Sequence, residues 1–336
     1  MTTFELDLRF TAGLWLFADA EGRFDGAPIS DDTLRRALDV AASVSDRGGL
    51  VGLEARYPTD IHAGNLHIWE SALEGTGLRI VSVIAQPVTP AHGWTLANSD
   101  PHQRGAAIER TAEALRLARS VGADFAGVWA GLDAYRTPFA LDVAGARARF
   151  EEGLASAMDL SPGVRVAVDV EPFEPSSRGL YSTPADVVLL GEAVESRLGD
   201  TDNRTLIEAG HALVTADFEV GRYMADTEDL PGALSWSLSR GRLAHVHWTS
   251  WPLSTYDPVP GIGPTDPTPL EAGVHLLKMY GYTGLVGIDL NPVGISGALA
   301  VQVAMDAFRS ANDRVRDLDP AHVIESWTRP HRSLIA

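Results

Sequence analysis

Glu171, Glu208, His247 and Asp289 are carboxylate and imidazole side chains that stand at the ends of four short apolar runs, VRVAVDVE, RTLIE, RLAHVHW and LVGIDLNP. The stretches between these runs are long enough to hold a helix each. Oxygen and imidazole donors at consecutive strand ends are what a β/α barrel needs to hold one divalent cation at its mouth. A single strand-end carboxylate is more readily a helix cap, but four in register favour a metal. Strand parity sharpens the expectation, because side chains alternate between faces. In RLAHVHW, residues 243, 245 and 247 share the inward face, and His247 lies nearer the carboxyl end; Leu285, Gly287 and Asp289 form one such set, and Ala167, Asp169 and Glu171 another. His245 reads as a buried, hydrogen-bonded neighbour of the ligands. The chain has no cysteine, so thiolate ligation is excluded and Mn2+, Mg2+, Co2+ or similar cations are favoured.

The elements that must carry these residues alternate along the whole chain. Strand-like runs cover 10–17, 50–57, 78–85, 124–130, 164–171, 204–208, 243–248 and 285–289. Helical patterns fall between them at 30–49, 65–74, 102–121, 143–158, 183–197, 230–240 and 269–280, with a last one at 295–315. Eight units of strand then helix predict parallel strands, right-handed crossovers and closure into a (β/α)8 TIM barrel. A doubly wound open sheet is the rival, but no GxGxxG follows the first strand. We expect one catalytic domain over 1–318 and a C-terminal extension over 319–336. The Pro/Gly/Asp-rich stretch 251–269 reads as a long loop on the active-site face.

Composition narrows the partners. A formal net charge of −18 over 336 residues disfavours nucleic acid and anionic membranes, which both need a basic face. No apolar run approaches the length of a membrane span and the amino terminus lacks a basic-then-apolar start, so a cytoplasmic protein is expected. Lysine occurs once, at Lys278.

Several motifs together resemble the xylose-isomerase-like barrel superfamily. Phe10-Thr11-Ala12-Gly13-Leu14-Trp15 is similar to the FTxGLW opening of xylose isomerases, and Val128-Trp129-Ala130-Gly131 to their WGG strand end. Glu171-Pro172 with Arg178-Gly179 resembles their EPKPNEPRG segment, and Asp289-Leu290-Asn291-Pro292 their closing DxxP. Glu208-Ala209-Gly210-His211, running on to Gly241 through His247, resembles the segment in which a Glu and a His three residues later bind metal. The resemblance implies metal ligation by Glu171, Glu208, His247 and Asp289. It implies catalytic roles for His211 and Arg178; His62, on the loop after the second strand, is a further candidate. His211 could equally be a second-ion ligand, a general base or a helix cap. Trp15, Trp129 and Trp251 fall at or just after strand ends, where they and Phe173 could line a substrate; Trp248 should instead point outward into the core.

The departures from that family argue against simple xylose isomerase activity. Phe173 stands where the isomerase has its carbonyl-contacting lysine, Val259 replaces one second-metal aspartate, and Glu54-Ala55-Arg56-Tyr57 replaces the ring-opening motif. What remains is one Lewis-acid site able to acidify a C–H bond beside a sugar ketone. The C-glycoside deglycosidase alpha (large) subunit resembles this chain in size and site. That likeness implies Mn2+, proton abstraction from a 3-oxo-C-glucoside, β-elimination of the aglycone carbon, and a small beta subunit as partner. A sugar isomerase or epimerase is the alternative, and a non-catalytic metal-binding barrel a third reading. An endonuclease of the same superfamily is disfavoured, since it would need three metals and a basic groove.

Overall fold

The computed structural model describes residues 6–18, 28–45, 48–86, 95–129, 142–170, 179–220, 229–248, 268–290, 292, 295–319, 322 and 325. Eight strands run in chain order round a closed barrel: β1 Phe10–Gly13, β2 Leu50–Tyr57, β3 Arg79–Ala85, β4 Phe125–Val128, β5 Val166–Val170, β6 Val214–Glu219, β7 Leu243–Trp248 and β8 Leu285–Ile288. Every neighbouring pair is parallel, including β1 with β8. All carboxyl ends therefore open on one face. The flanking helices are α1 Asp31–Ser45, α2 Leu66–Leu73, α3 Pro101–Ser120, α4 Val143–Leu160, α5 Pro184–Glu195, α6 Thr201–Glu208, α7 Leu230–Ser239, α8 Thr268–Met279 and α9 Gly297–Arg314.

One expected strand is in fact a helix. Residues 204–208 belong to α6, and the sixth strand is Val214–Glu219. Asp200 caps α6 by accepting from the backbone amides of Asp202 and Asn203, and Gly210, at φ +89°, ends it. A side-chain cap at the amino end and a left-handed glycine at the carboxyl end thus close the helix termini, which a strand would not require.

The main apolar core lies between barrel and helices. Trp248 is buried there, edge-on to Phe308 of α9 at 4.9 Å, and Phe10 meets the same ring at 5.7 Å. Outward placement of Trp248 follows from the parity that turns its neighbour His247 inward. A second, small apolar cluster of Val81, Phe125, Ala167 and Leu285 packs separately. Phe125 brings its ring to 5.2 Å from that of His245, so this cluster forms an apolar floor beneath the polar interior. Lys278 of α8 is buried and donates to the carbonyls of Val315, at 3.5 Å, and Arg316, at 2.7 Å, just past the end of α9. Among the described residues no helix is long and apolar enough to cross a membrane.

Candidate metal centre

Among the described residues, four strands contribute the following buried polar side chains to the barrel interior. Thr11 comes from β1, Glu54 from β2, Asp217 and Glu219 from β6, and His245 and His247 from β7, all of them buried. Register stacks them in layers: Asp217 lies opposite His245, and Glu219 opposite His247. Gly287 of β8 lies opposite His247 and leaves room for both rings. A Cβ there would come within 2.4 Å of His245 Cε1 and 2.5 Å of His247 Cδ2, inside van der Waals contact.

His247 Nε2 lies 2.8 Å from Glu54 Oε2, and Thr11 donates its hydroxyl to Glu54 Oε1 at 2.8 Å. His245 is held between Thr11 Oγ1, 2.9 Å from Nε2, and Asp217 Oδ1, 3.1 Å from Nδ1. The remaining nitrogen of His247, Nδ1, faces Asp217 Oδ2 and Glu219 Oε2, each at 3.6 Å. That spacing is too long for a hydrogen bond. It suits donors sharing one ion, since bonds of about 2.1 Å at tetrahedral to octahedral angles separate ligand atoms by roughly 3.0–3.5 Å. Among the described residues, Glu54, Asp217, His245 and His247 form the group whose ligand atoms all lie within 4.8 Å of one another.

Electrostatics point the same way. Burial alone would raise the Glu54 and Asp217 carboxyls, but His247 and His245 outweigh it and hold both below their ordinary values. Burial pulls His247 down, yet Asp217, Glu54 and Glu219 together push it well above the usual imidazole range. Buried carboxylates around one imidazole call for a positive charge, and a proton or a divalent cation can supply it. The donor set therefore fits a divalent metal: two imidazoles and carboxylate oxygens, with one imidazole nitrogen already bound to a carboxylate, the usual arrangement for a metal-ligating histidine.

Residues 50–311 match the family model described as xylose isomerase-like TIM barrel. The chain belongs to that family. No curated protein sequence matches it. Among solved structures, this xylose isomerase-like barrel is similar to L-ribulose 3-epimerase, at 13% identity over 97% of this chain and 100% of that one, with a TM-score of 0.67. It is similar to D-psicose 3-epimerase from Clostridium cellulolyticum H10, at 15% identity over 92% and 98%, with a TM-score of 0.62. A third is 3-keto-D-glucoside 4-epimerase from E. coli, at 16% identity over 91% and 100%, with a TM-score of 0.61. At these identities the likeness speaks for the fold.

The expected site residues separate within the family barrel. His247 is in the cluster. Glu208 is not: it is exposed on α6, before β6 begins. His211 is also exposed, in the turn that leads from α6 into β6 and so at the amino end of the strands. Both expectations are corrected by the shift of the sixth strand. Asp289 follows β8 at the mouth, half-buried, and Trp15 Nε1 donates to its Oδ1 at 3.0 Å. Trp15 itself follows β1, with the Arg56 guanidinium carbon 5.2 Å from its ring centroid. His62 and Trp129 follow β2 and β4 on the mouth side, both half-buried, and His62 Nδ1 accepts from the Gly64 amide at 3.1 Å. Glu171, Phe173, Arg178 and Trp251 lie outside the described residues, as do Val259 and most of the 251–269 loop.

Thr11, Glu54, Asp217 and Glu219 are the site-lining residues that strand reading passed over. VTADFE alternates polar and apolar residues in strict period two, with Thr215, Asp217 and Glu219 on one face; that alternation was the available signal. Glu54 shares the inward parity of Gly52 in LVGLEARY, whose strand spans the expected residues 50–57.

Proposed function

We propose that the chain is a divalent-cation-dependent sugar enzyme that removes a proton from the carbon beside a sugar carbonyl, acting on keto-sugars or 3-oxo-glycosides. The observation that carries this reading is the buried cluster of Glu54, Asp217, Glu219, His245 and His247 on an apolar floor. Mn2+ is the proposed ion, held by His247 with Asp217 or Glu219 in the place first expected for Glu208. Glu171 and Asp289 would complete the ligand set from the strand ends on either side. The bound cation would supply Lewis acidity to the carbonyl oxygen, lowering the pKa of the adjacent C–H bond.

This chain's own residues do the rest. Glu54 fixes the His247 ring, so that Nδ1 points at the shared position. The buried β6 carboxylate not engaged as a ligand can accept the proton, and the closed barrel wall excludes water behind it. His62 remains a candidate for a second acid or base on the mouth side, and Arg178 is proposed to donate hydrogen bonds to a substrate oxygen. Trp129, Trp251 and Phe173 are proposed to line the sugar.

Epimerisation or isomerisation through an enediol is the first reading, supported by the epimerase names of the structural neighbours. Elimination of an aglycone from a 3-oxo-C-glucoside, with a small beta subunit, is the second. It is favoured by Phe173 in place of the isomerase lysine and by the 3-keto-glucoside named for one neighbour. One experiment separates them: incubate the Mn2+-loaded protein with 3-oxo-glucosides and 3-oxo-C-glucosides in D2O and follow the C–H signals by NMR. Both readings expect Mn2+-dependent deuterium incorporation. An epimer or isomer identifies the first, and free aromatic aglycone the second. A protein that binds Mn2+ but exchanges no sugar proton in these or in free ketoses would leave a non-catalytic barrel and sink both.

A further inference from the structure

The geometry points to Trp15, Arg56 and Asp60 as positioning residues that fix the carboxylate of Asp289 at the edge of the cation site. This inference rests on the proposed cation-binding role of that site.

The chain of contacts starts on the turn after β2. Asp60, buried, accepts from Arg56 Nε at 2.9 Å and from an Arg56 terminal nitrogen at 3.0 Å, and its Oδ2 also takes the Arg56 backbone amide at 3.0 Å. A two-point fork of this kind fixes the plane of the guanidinium as well as its place. Arg56 has the inward parity of Glu54 and sits one pleat nearer the mouth. Its guanidinium carbon lies 5.2 Å from the Trp15 ring centroid, within cation–π range.

Trp15 occupies space that only a glycine could leave. A Cβ on Gly13 would fall 2.1 Å from Trp15 Cε2 and Cζ2, so the indole folds back over the end of β1. Gly13 is in register with Glu54, which places that indole on the inner side of the mouth. From there Nε1 donates to Asp289 Oδ1 at 3.0 Å. Asp289 shares the parity of Gly287, the residue packed against both imidazoles. The contacts thus pass from β2 through β1 to β8, which are consecutive staves of the barrel. A platform that only stacks on sugar would not need its N–H committed to a site carboxylate or its ring covered by a clamped arginine.

Removing an outer partner of a ligand typically weakens metal binding about 10–100-fold, and Trp15→Phe keeps an aromatic ring while deleting the indole N–H. Mn2+ affinity of the full chain, measured from the EPR signal of free Mn2+, should fall about tenfold in Trp15→Phe. The melting temperature of the metal-free protein should stay near that of the unaltered chain. Asp289→Asn should also weaken binding, and the double variant should bind no more weakly than Asp289→Asn alone. Arg56→Lys, which loses the fork, provides an independent arm: a smaller loss, absent in the Trp15→Phe background. Unchanged affinity in Trp15→Phe, or losses that multiply with Asp289→Asn, would overturn the relay while leaving the cation reading intact. If the unaltered chain binds no Mn2+, the cation reading fails and the relay falls with it.

Discussion

Glu54 and His247 face each other at 2.8 Å and are both buried, so their charges are set by each other and by Asp217. His247 is raised by its carboxylates, so its contribution to stability is complete below about pH 6.5 and is lost as pH climbs through the higher folded value. Glu54 is lowered, and its contribution is complete above about pH 4.5 and is lost as pH falls through the lower folded value. We expect the melting temperature of the metal-free protein to be highest between these two limits and to fall on both sides. Saturating Mn2+ should flatten the alkaline limb, because the ion replaces the proton on His247. Calorimetry over a pH series, with and without Mn2+, measures both limbs; an unchanged alkaline limb would argue that His247 is not a ligand.

At the level of single elements, β8 is shaped by what Gly287 omits. Gly287→Ala drives a methyl into His245 and His247, and we expect about 1–3 kcal/mol of destabilisation together with weaker Mn2+ binding, read by denaturant melts and titration. By contrast, Glu208→Gln on exposed α6 should leave Mn2+ affinity unchanged, since that side chain lies outside the barrel wall. The difference between α6 and β6 also explains where sequence reading works. LVGLEARY and LAHVHW disclose their limits because their outward residues, Leu53, Ala55 and Tyr57 in one and Val246 and Trp248 in the other, are apolar or aromatic and pack toward the helices. VTADFE hides, because Thr215, Asp217 and Glu219 interrupt its apolar run at every second position. RTLIE mimics a strand with five residues of a helix whose outer face is polar. The Asp200 cap and the Gly210 stop were visible in the sequence, and they outweigh that short run.

For the molecule as a whole, the cluster draws its donors from positions as far apart in sequence as Glu54 and His247, and closure of eight strands in chain order is what joins them. The eight-unit count was legible from alternation alone; the contacts between β1, β2 and β7 were not, because they depend on side-chain reach across the closed interior. A cation gripped by several staves should stabilise the barrel as a unit. At a free Mn2+ concentration 100 times its dissociation constant, we expect about 2.7 kcal/mol of added stability in one cooperative transition; a biphasic melt would mean that the site spans only part of the fold. The burial of Lys278 against the end of α9 has a practical outcome of a different kind. It is the chain's only lysine, so acylating and cross-linking reagents find no exposed ε-amine on the barrel. One lysine introduced at an exposed position would be a unique handle for attaching a probe or tethering the protein to a surface.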